Sequence, residues 1–140
     1  MEERRGVIVD TCVLASRKLE ALRTFQAKLC VTPAILLEYL NWALEARTRW
    51  LAKGDARRAR SYERLIELLP LTLSELGIGI VEQRLTIAEL GEAASLVLHR
   101  GVDPGDALNA ITARKAGLGI ATLDRDWQRL SDYAAGVIIL

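Results

Sequence analysis

Four acidic side chains, Asp10, Glu38, Asp106 and Asp124, stand where apolar segments end or helices begin, the places from which carboxylates can act on a ligand. Asp10 follows Gly6-Val7-Ile8-Val9 and continues into Thr11-Cys12-Val13-Leu14, an apolar setting in which an unpaired carboxylate is costly. Asp124 follows Ile120-Ala121-Thr122 with Leu123 between. Glu38 lies within Ile35-Leu36-Leu37-Glu38-Tyr39-Leu40, and its helical neighbours are Ala34, Ile35 and Trp42. Asp106 belongs to the helix opening Asp103-Pro104-Gly105-Asp106.

Each acid also has a structural role open to it. Asp is common in turns, and acids are favoured in the first turns of helices. Asp103 as N-cap, Pro104 at the first helical position and Asp106 in the first turn make a good helix start by themselves. Asp103 is assigned to capping and Asp106 to chemistry, although spacing alone does not separate them. Asp124 and Asp126 pose the same choice; Asp124, nearer the strand end, is taken for the site and Asp126 as auxiliary.

Carboxylates gathered at one place repel and take up protons unless a cation intervenes. Oxygen-only ligation suits Mg²⁺ or Mn²⁺, with water completing the coordination, and Asp10, Asp106 and Asp124 are the expected ligands. Such an ion activates water and stabilises charge building on a phosphodiester without a protein nucleophile. Thr11 and Thr122 are auxiliary candidates for bonding a metal-bound water or orienting a carboxylate; as strand-end residues they are equally suited to a structural role. Other chemistries have less to build on. The chain has one histidine, His99, too few for a His-based zinc site or a Ser–His–Asp triad. Gly77-Ile78-Gly79 and Gly117-Leu118-Gly119 lack the remainder of any phosphate-binding glycine motif. An aspartyl-phosphate mechanism at Asp10 asks for a second Asp two residues on, where Cys12 stands.

The segments that must hold these acids alternate strand and helix. Val7–Val9, Leu29–Val31, Ile78–Val81, Ile120–Thr122 and Val137–Leu140 read as short apolar strands, which implies a parallel sheet covered on both faces. Helical spacing runs over Lys18–Lys28, with Leu19, Leu22 and Phe25. A helix opens at Thr32-Pro33 and reaches towards Lys53; another opens at Asp55 and is expected to end before Pro70. A third has the capping box Thr86-Ile87-Ala88-Glu89 and stops at Gly101; a fourth runs from Asp103 to Gly117; a short one covers Asp124–Leu130. The expected fold is α/β, a three-layer α/β/α arrangement over one domain, residues 1–140. Ligands of such sheets bind beyond the carboxyl ends of the strands, the edge on which all four acids fall.

Composition sets the class. The chain has 140 residues, 51% hydrophobic and 26% charged, enough to bury its own core. Uncharged stretches fall short of a membrane span, and the start Met1-Glu2-Glu3-Arg4-Arg5 leads into a run too short for a signal peptide, so a cytoplasmic location is expected. Cys12 and Cys30 form no metal-spaced cluster and are expected to be buried free thiols. Net charge is only +1, but Arg47, Arg49, Lys53, Arg57, Arg58, Arg60 and Arg64 crowd one stretch. With Trp50 and Tyr62 interleaved, Arg57, Arg58 and Arg60 suit phosphate contacts and base stacking, while Glu63 and Glu67 could pair part of the charge on a solvated helix face. Trp42 and Leu44 nearby could form a partner-binding face.

Val7-Ile8-Val9-Asp10-Thr11-Cys12-Val13-Leu14 resembles the opening motif of PIN domains. Glu38 matches the acid of that family's helix after the second strand. Asp106-Ala107-Leu108-Asn109-Ala110-Ile111-Thr112-Ala113 resembles the helix carrying its third acid, and Thr122-Leu123-Asp124-Arg125-Asp126-Trp127 its closing motif, with Trp127 where Phe is usual. The length is similar to VapC-type toxins and archaeal PIN proteins. The resemblance implies Mg²⁺- or Mn²⁺-dependent cleavage of single-stranded RNA, frequently by a homodimer, and an antitoxin partner that inserts into the active-site groove. It leaves three readings: a toxin ribonuclease, a housekeeping nuclease of RNA processing or decay, and a non-catalytic PIN-fold binding module.

Overall fold

The computed structural model of the chain describes residues 6–140; Met1–Arg5 lie outside the described residues. In chain order the elements are β1 (Gly6–Val9), α1 (Thr11–Leu14), a 3-10 segment (Arg17–Thr24), β2 (Lys28–Val31), α2 (Pro33–Ala52), α3 (Ala56–Glu75), β3 (Gly79–Ile80), α4 (Ile87–Arg100), α5 (Pro104–Ala116), β4 (Gly119–Thr122), a 3-10 turn (Arg125–Leu130) and β5 (Val137–Ile139). The five strands form one parallel sheet in the order β3-β2-β1-β4-β5, flanked by helices as the alternating pattern predicts.

The centre of the sheet is its driest part. Ile8 and Val9 of β1 and Ile120 and Ala121 of β4 have no exposed surface, as a parallel strand covered on both faces requires. The edge strands are short, which limits the row of unpaired backbone groups offered to another chain. β1 and β4 pair with Val9 opposite Ala121, and the Asp10 amide donates to the Ala121 carbonyl at 2.9 Å. Asp10 and Thr122 thus leave the sheet side by side.

Helix starts follow the sequence closely. Thr32, Asp55, Thr86 and Asp103 each cap a helix through the side-chain oxygen, and Thr86 and Glu89 complete the expected capping box. Gly101 and Gly117 end α4 and α5 with φ of 65° and 66°, a conformation that a side chain would strain.

Three expectations are corrected. The Lys18–Lys28 helix is a 3-10 segment ending at Thr24, and Lys28 already belongs to β2. The spacing of Leu19, Leu22 and Phe25 by threes matches the 3-10 repeat better than the α repeat. The helix expected to stop before Pro70 continues to Glu75. Burial of Leu69 and Leu73 on its inner face outweighs the single hydrogen bond lost at Pro70, which lies on the exposed side. The strand over Ile78–Val81 is reduced to Gly79–Ile80, with Val81 adding one amide bond to the Val31 carbonyl.

The core is continuous from β1 and β2 through Ile35 and Tyr39 of α2 to Ile111 of α5 and Trp127 of the last 3-10 turn. Cys12 and Cys30 are both free thiols. Among the described residues no helix is long and apolar enough to cross a membrane.

Candidate active site

Asp10 is 5% exposed, and among the described residues its charge is met by neutral donors. The Thr11 amide donates to Oδ1 at 2.8 Å and the Thr122 hydroxyl to Oδ2 at 2.7 Å. The Cys12 thiol also approaches Oδ2, at 3.5 Å. Burial pushes that thiol up from its ordinary range, the Asp10 charge adding to the effect, so it stays protonated and able to donate. Thr122 in turn accepts from the Asp124 amide at 3.0 Å.

Glu38 is half-buried on α2, one turn before Trp42. The Thr11 hydroxyl donates to its Oε2 at 2.8 Å. Burial raises its pKa above the usual carboxylate range, and the charges of Asp103 and Asp10 push the same way against the Thr11 hydrogen bond. The start of α2 is tied to α5: the Thr32 hydroxyl accepts from the Ile35 amide and donates to Asn109 Oδ1 at 2.5 Å. Gln83 links the same helices, accepting from the Ala34 amide and donating to Asn109 and Thr112. Asn109 stands three residues after Asp106, so this buried polar network sets the helix of Glu38 against the helix of Asp106.

Asp10, Thr11, Cys12, Glu38, Trp42, Asp103, Asp106 and Asp124 line one cavity of about 440 Å³. Asp106 responds most strongly: burial, then the charges of Asp10, Asp103, Glu38 and Asp124, raise its carboxyl to about 7. The other three expected acids therefore all act on Asp106 electrostatically. Asp103 caps α5 through the Gly105 amide, as expected, yet it also lines this cavity. Asp124 caps the last 3-10 turn by accepting from the Asp126 amide at 2.8 Å, so one residue fills both roles that the sequence divides between two. Asp126 lies in an adjoining cavity with Asp103, Asp106, Asp124 and Arg129, away from Asp10 and Glu38. Thr11 and Thr122 orient carboxylates.

Three contributors escape the sequence reading. Cys12 bridges Asp10 and Thr122, and its Sγ also accepts from the Leu123 amide at 3.3 Å. Asp103 has a second role. Gly105 leaves the space into which the Glu38 carboxylate fits: a Cβ there would fall on Oε1 and lie 2.9 Å from Cδ. Glycine in the first turn of a helix, where other residues serve better, was the signal available for the last of these.

The donor set suits a divalent cation: carboxylates only, one of them raised to about 7 by burial and by the charges of the others. Among the described residues no three Asp, Glu, His or Cys side chains converge closely enough to enclose an ion by themselves.

The basic stretch divides. Arg47 pairs with Glu63 at 2.7 Å, and Arg60 with Glu63 and Glu67 at 2.8 and 3.0 Å. Arg57 is exposed. Of the three expected RNA contacts, Arg58 lines a cavity together with Trp42, Trp50 and Tyr62.

The sequence matches the family model of the PIN domain over residues 7–133. The fold is similar to the crystal structure of PAE2754 from Pyrobaculum aerophilum, with a TM-score of 0.62, 20% identity, and coverage of 97% of this chain and 89% of that one. No curated protein matches.

Proposed function

The chain belongs to the PIN-domain family, whose members are generally nucleases, and on that premise we propose that it is a metal-dependent endoribonuclease cutting single-stranded RNA. The observation that carries this reading is the shared cavity of Asp10, Glu38, Asp106 and Asp124, in which burial and then the neighbouring charges raise the Asp106 carboxyl to about 7. Asp10, Asp106 and Asp124 would hold Mg²⁺ or Mn²⁺. Bound there, the ion supplies Lewis acidity and neutralises charge on the phosphodiester.

The protein's own groups prepare that site. Thr11 and Thr122 hold both Asp10 oxygens, which leaves the carboxylate little rotational freedom. Thr11 also fixes Glu38 from the other side of the cavity. With its raised pKa, Glu38 is suited to take a proton from an attacking water at one oxygen while Thr11 occupies the other.

Of the biological roles, we favour the toxin of a toxin–antitoxin pair, with a housekeeping nuclease as the alternative. The intact acid set argues against a purely non-catalytic module. Exposed Leu37, Leu44 and Leu51, seven residues apart along α2, support a homodimer or an antitoxin contact. Purified protein should cut single-stranded RNA with Mn²⁺ or Mg²⁺ and stop with EDTA. Cleavage that survives Asp10→Asn or Asp124→Asn sinks the site assignment. Growth arrest on expression, relieved by a neighbouring gene product, separates toxin from housekeeping enzyme.

A further inference from the structure

We propose that the aromatic cavity beside the acids is a nucleobase subsite, which receives one unpaired base of the RNA next to the phosphodiester being cut. The inference rests on the ribonuclease reading above and adds where the substrate is gripped. The cavity measures about 530 Å³ and is lined by Trp42, Trp50, Arg58, Tyr62 and Leu65, and it shares Ala15 and Trp42 with the acid-lined cavity. A strand whose phosphate lies among the acids therefore carries its neighbouring base over Trp42.

The lining suits a base. Trp42 meets Tyr62 edge to face with centroids 5.6 Å apart, and the tilted ring of Tyr39 also packs against it at 5.5 Å. All three lining aromatics are half-buried, so each is held in place while keeping part of its surface open. The Arg58 guanidinium lies 4.3 Å from the Trp50 ring centroid and the Lys53 ammonium 4.9 Å from it, so a base stacking on the indole would take the place of a cation.

Charge favours RNA over an apolar protein segment. Arg47 and Arg60 are engaged by Glu63 and Glu67, whereas Arg58 is 62% exposed and touches Asp55 only at 3.5 Å. Held, among the described residues, only by the Trp50 ring and this long contact to Asp55, Arg58 can turn from the indole to meet a phosphate at the cavity mouth when a base takes its place. Stacking on these rings requires a base out of its helix, so duplex RNA is excluded.

The test compares a labelled single-stranded oligoribonucleotide with an abasic ribose-phosphate oligomer of equal length. Both are titrated against the full chain in EDTA and followed by fluorescence anisotropy. The wild-type protein should prefer the base-bearing oligomer by about tenfold. Trp50→Ala and Tyr62→Ala should lose that preference and Trp50→Phe retain it. Arg58→Ala should reduce the salt dependence of binding by about one charge. Equal binding of the two oligomers, or no binding of either, overturns the subsite and leaves the cavity to a protein partner. A preference intact in Trp50→Ala and Tyr62→Ala overturns it as well. Base preference without metal-dependent cleavage overturns the nuclease reading and upholds the subsite. Cleavage without base preference does the reverse.

Discussion

The hydroxyl of Thr122 lies 2.7 Å from Asp10 Oδ2 and 3.0 Å from the Asp124 amide, so one oxygen joins the acids at the ends of two neighbouring strands. It donates to the first and accepts from the second, which fixes where its proton points. Thr122 is fully buried, and valine would keep its shape while removing both bonds. Thr122→Val should cost about 1–3 kcal/mol in urea unfolding, because a buried carboxylate and an amide each lose a partner. Activity should fall by about 10- to 100-fold, the usual effect of removing a group that orients a ligand. Thr122→Ser should restore most of both. Valine that cuts RNA at the wild-type rate would show that Asp10 needs no such anchor.

Gly105 offers a case in which stability and activity should move in opposite directions. Its missing side chain makes room for the end of Glu38, a flexible group that can swing aside. Alanine at this helical position is favoured over glycine by roughly 0.5–1 kcal/mol. Gly105→Ala should therefore leave the melting temperature unchanged or slightly raised, while displacing Glu38 from the Thr11 hydroxyl and lowering cleavage at least tenfold. Full activity in a well-folded Gly105→Ala protein would remove Glu38 from the proposed mechanism.

The legible parts of the molecule are those set by local pattern. Asp10 and Asp124 could be placed from the sequence because each ends a short apolar run, and parallel sheets put such ends at one edge. The N-caps Thr32, Asp55, Thr86 and Asp103 were visible because capping depends on residues two or three apart. The roles of Gly105 and Cys12 were not, since they arise where α5 meets α2 and β1 meets β4, a matter of distance between elements. Pro70 misled for a related reason: its local cost is real, but the packing of Leu69 and Leu73 that outweighs it belongs to the tertiary fold. In the basic stretch the pairing of Arg60 with Glu63 and Glu67 was legible too, because all three lie on one helix.

Asp106 makes the metal-free protein sensitive to pH in a stated direction. Its carboxyl is raised to about 7, against about 3.9 in an unfolded chain. Between those values the folded state holds a proton that the unfolded state has released, so stability falls as pH rises through the window. Below about pH 4 the group is neutral in both states and the penalty is absent. In EDTA, Asp106→Asn should raise the melting temperature at pH 8 by a few degrees and change it little at pH 4. With Mn²⁺ present at pH 8 the order should reverse, because the wild-type carboxylate then has its cation. A variant no more stable than wild type in EDTA at pH 8 would mean that burial and the neighbouring acids do not hold the Asp106 carboxyl up.

Far from the acids, Glu92 holds the C-terminal segment against α4 and α5. Its carboxylate accepts the Tyr133 hydroxyl at 2.6 Å and Arg114 Nη2 at 2.7 Å, while Arg114 and Arg100 lie over the Tyr133 ring. The bond to Arg114, followed by the one to Tyr133, lowers the Glu92 carboxyl to about 2. A depressed carboxyl contributes stability above its unfolded value, about 4.3, and loses it as pH falls through the folded one. Because the side chain is 32% exposed, solvent screens the pair and the effect should be modest. Glu92→Gln is expected to lower the melting temperature at pH 7 by roughly 2–4 °C, the difference closing as pH approaches 2. RNA cleavage at 25 °C should be unchanged, since the clamp touches none of the acids. Equal melting curves at pH 7 would show that the Arg114 and Tyr133 contacts add nothing to the fold.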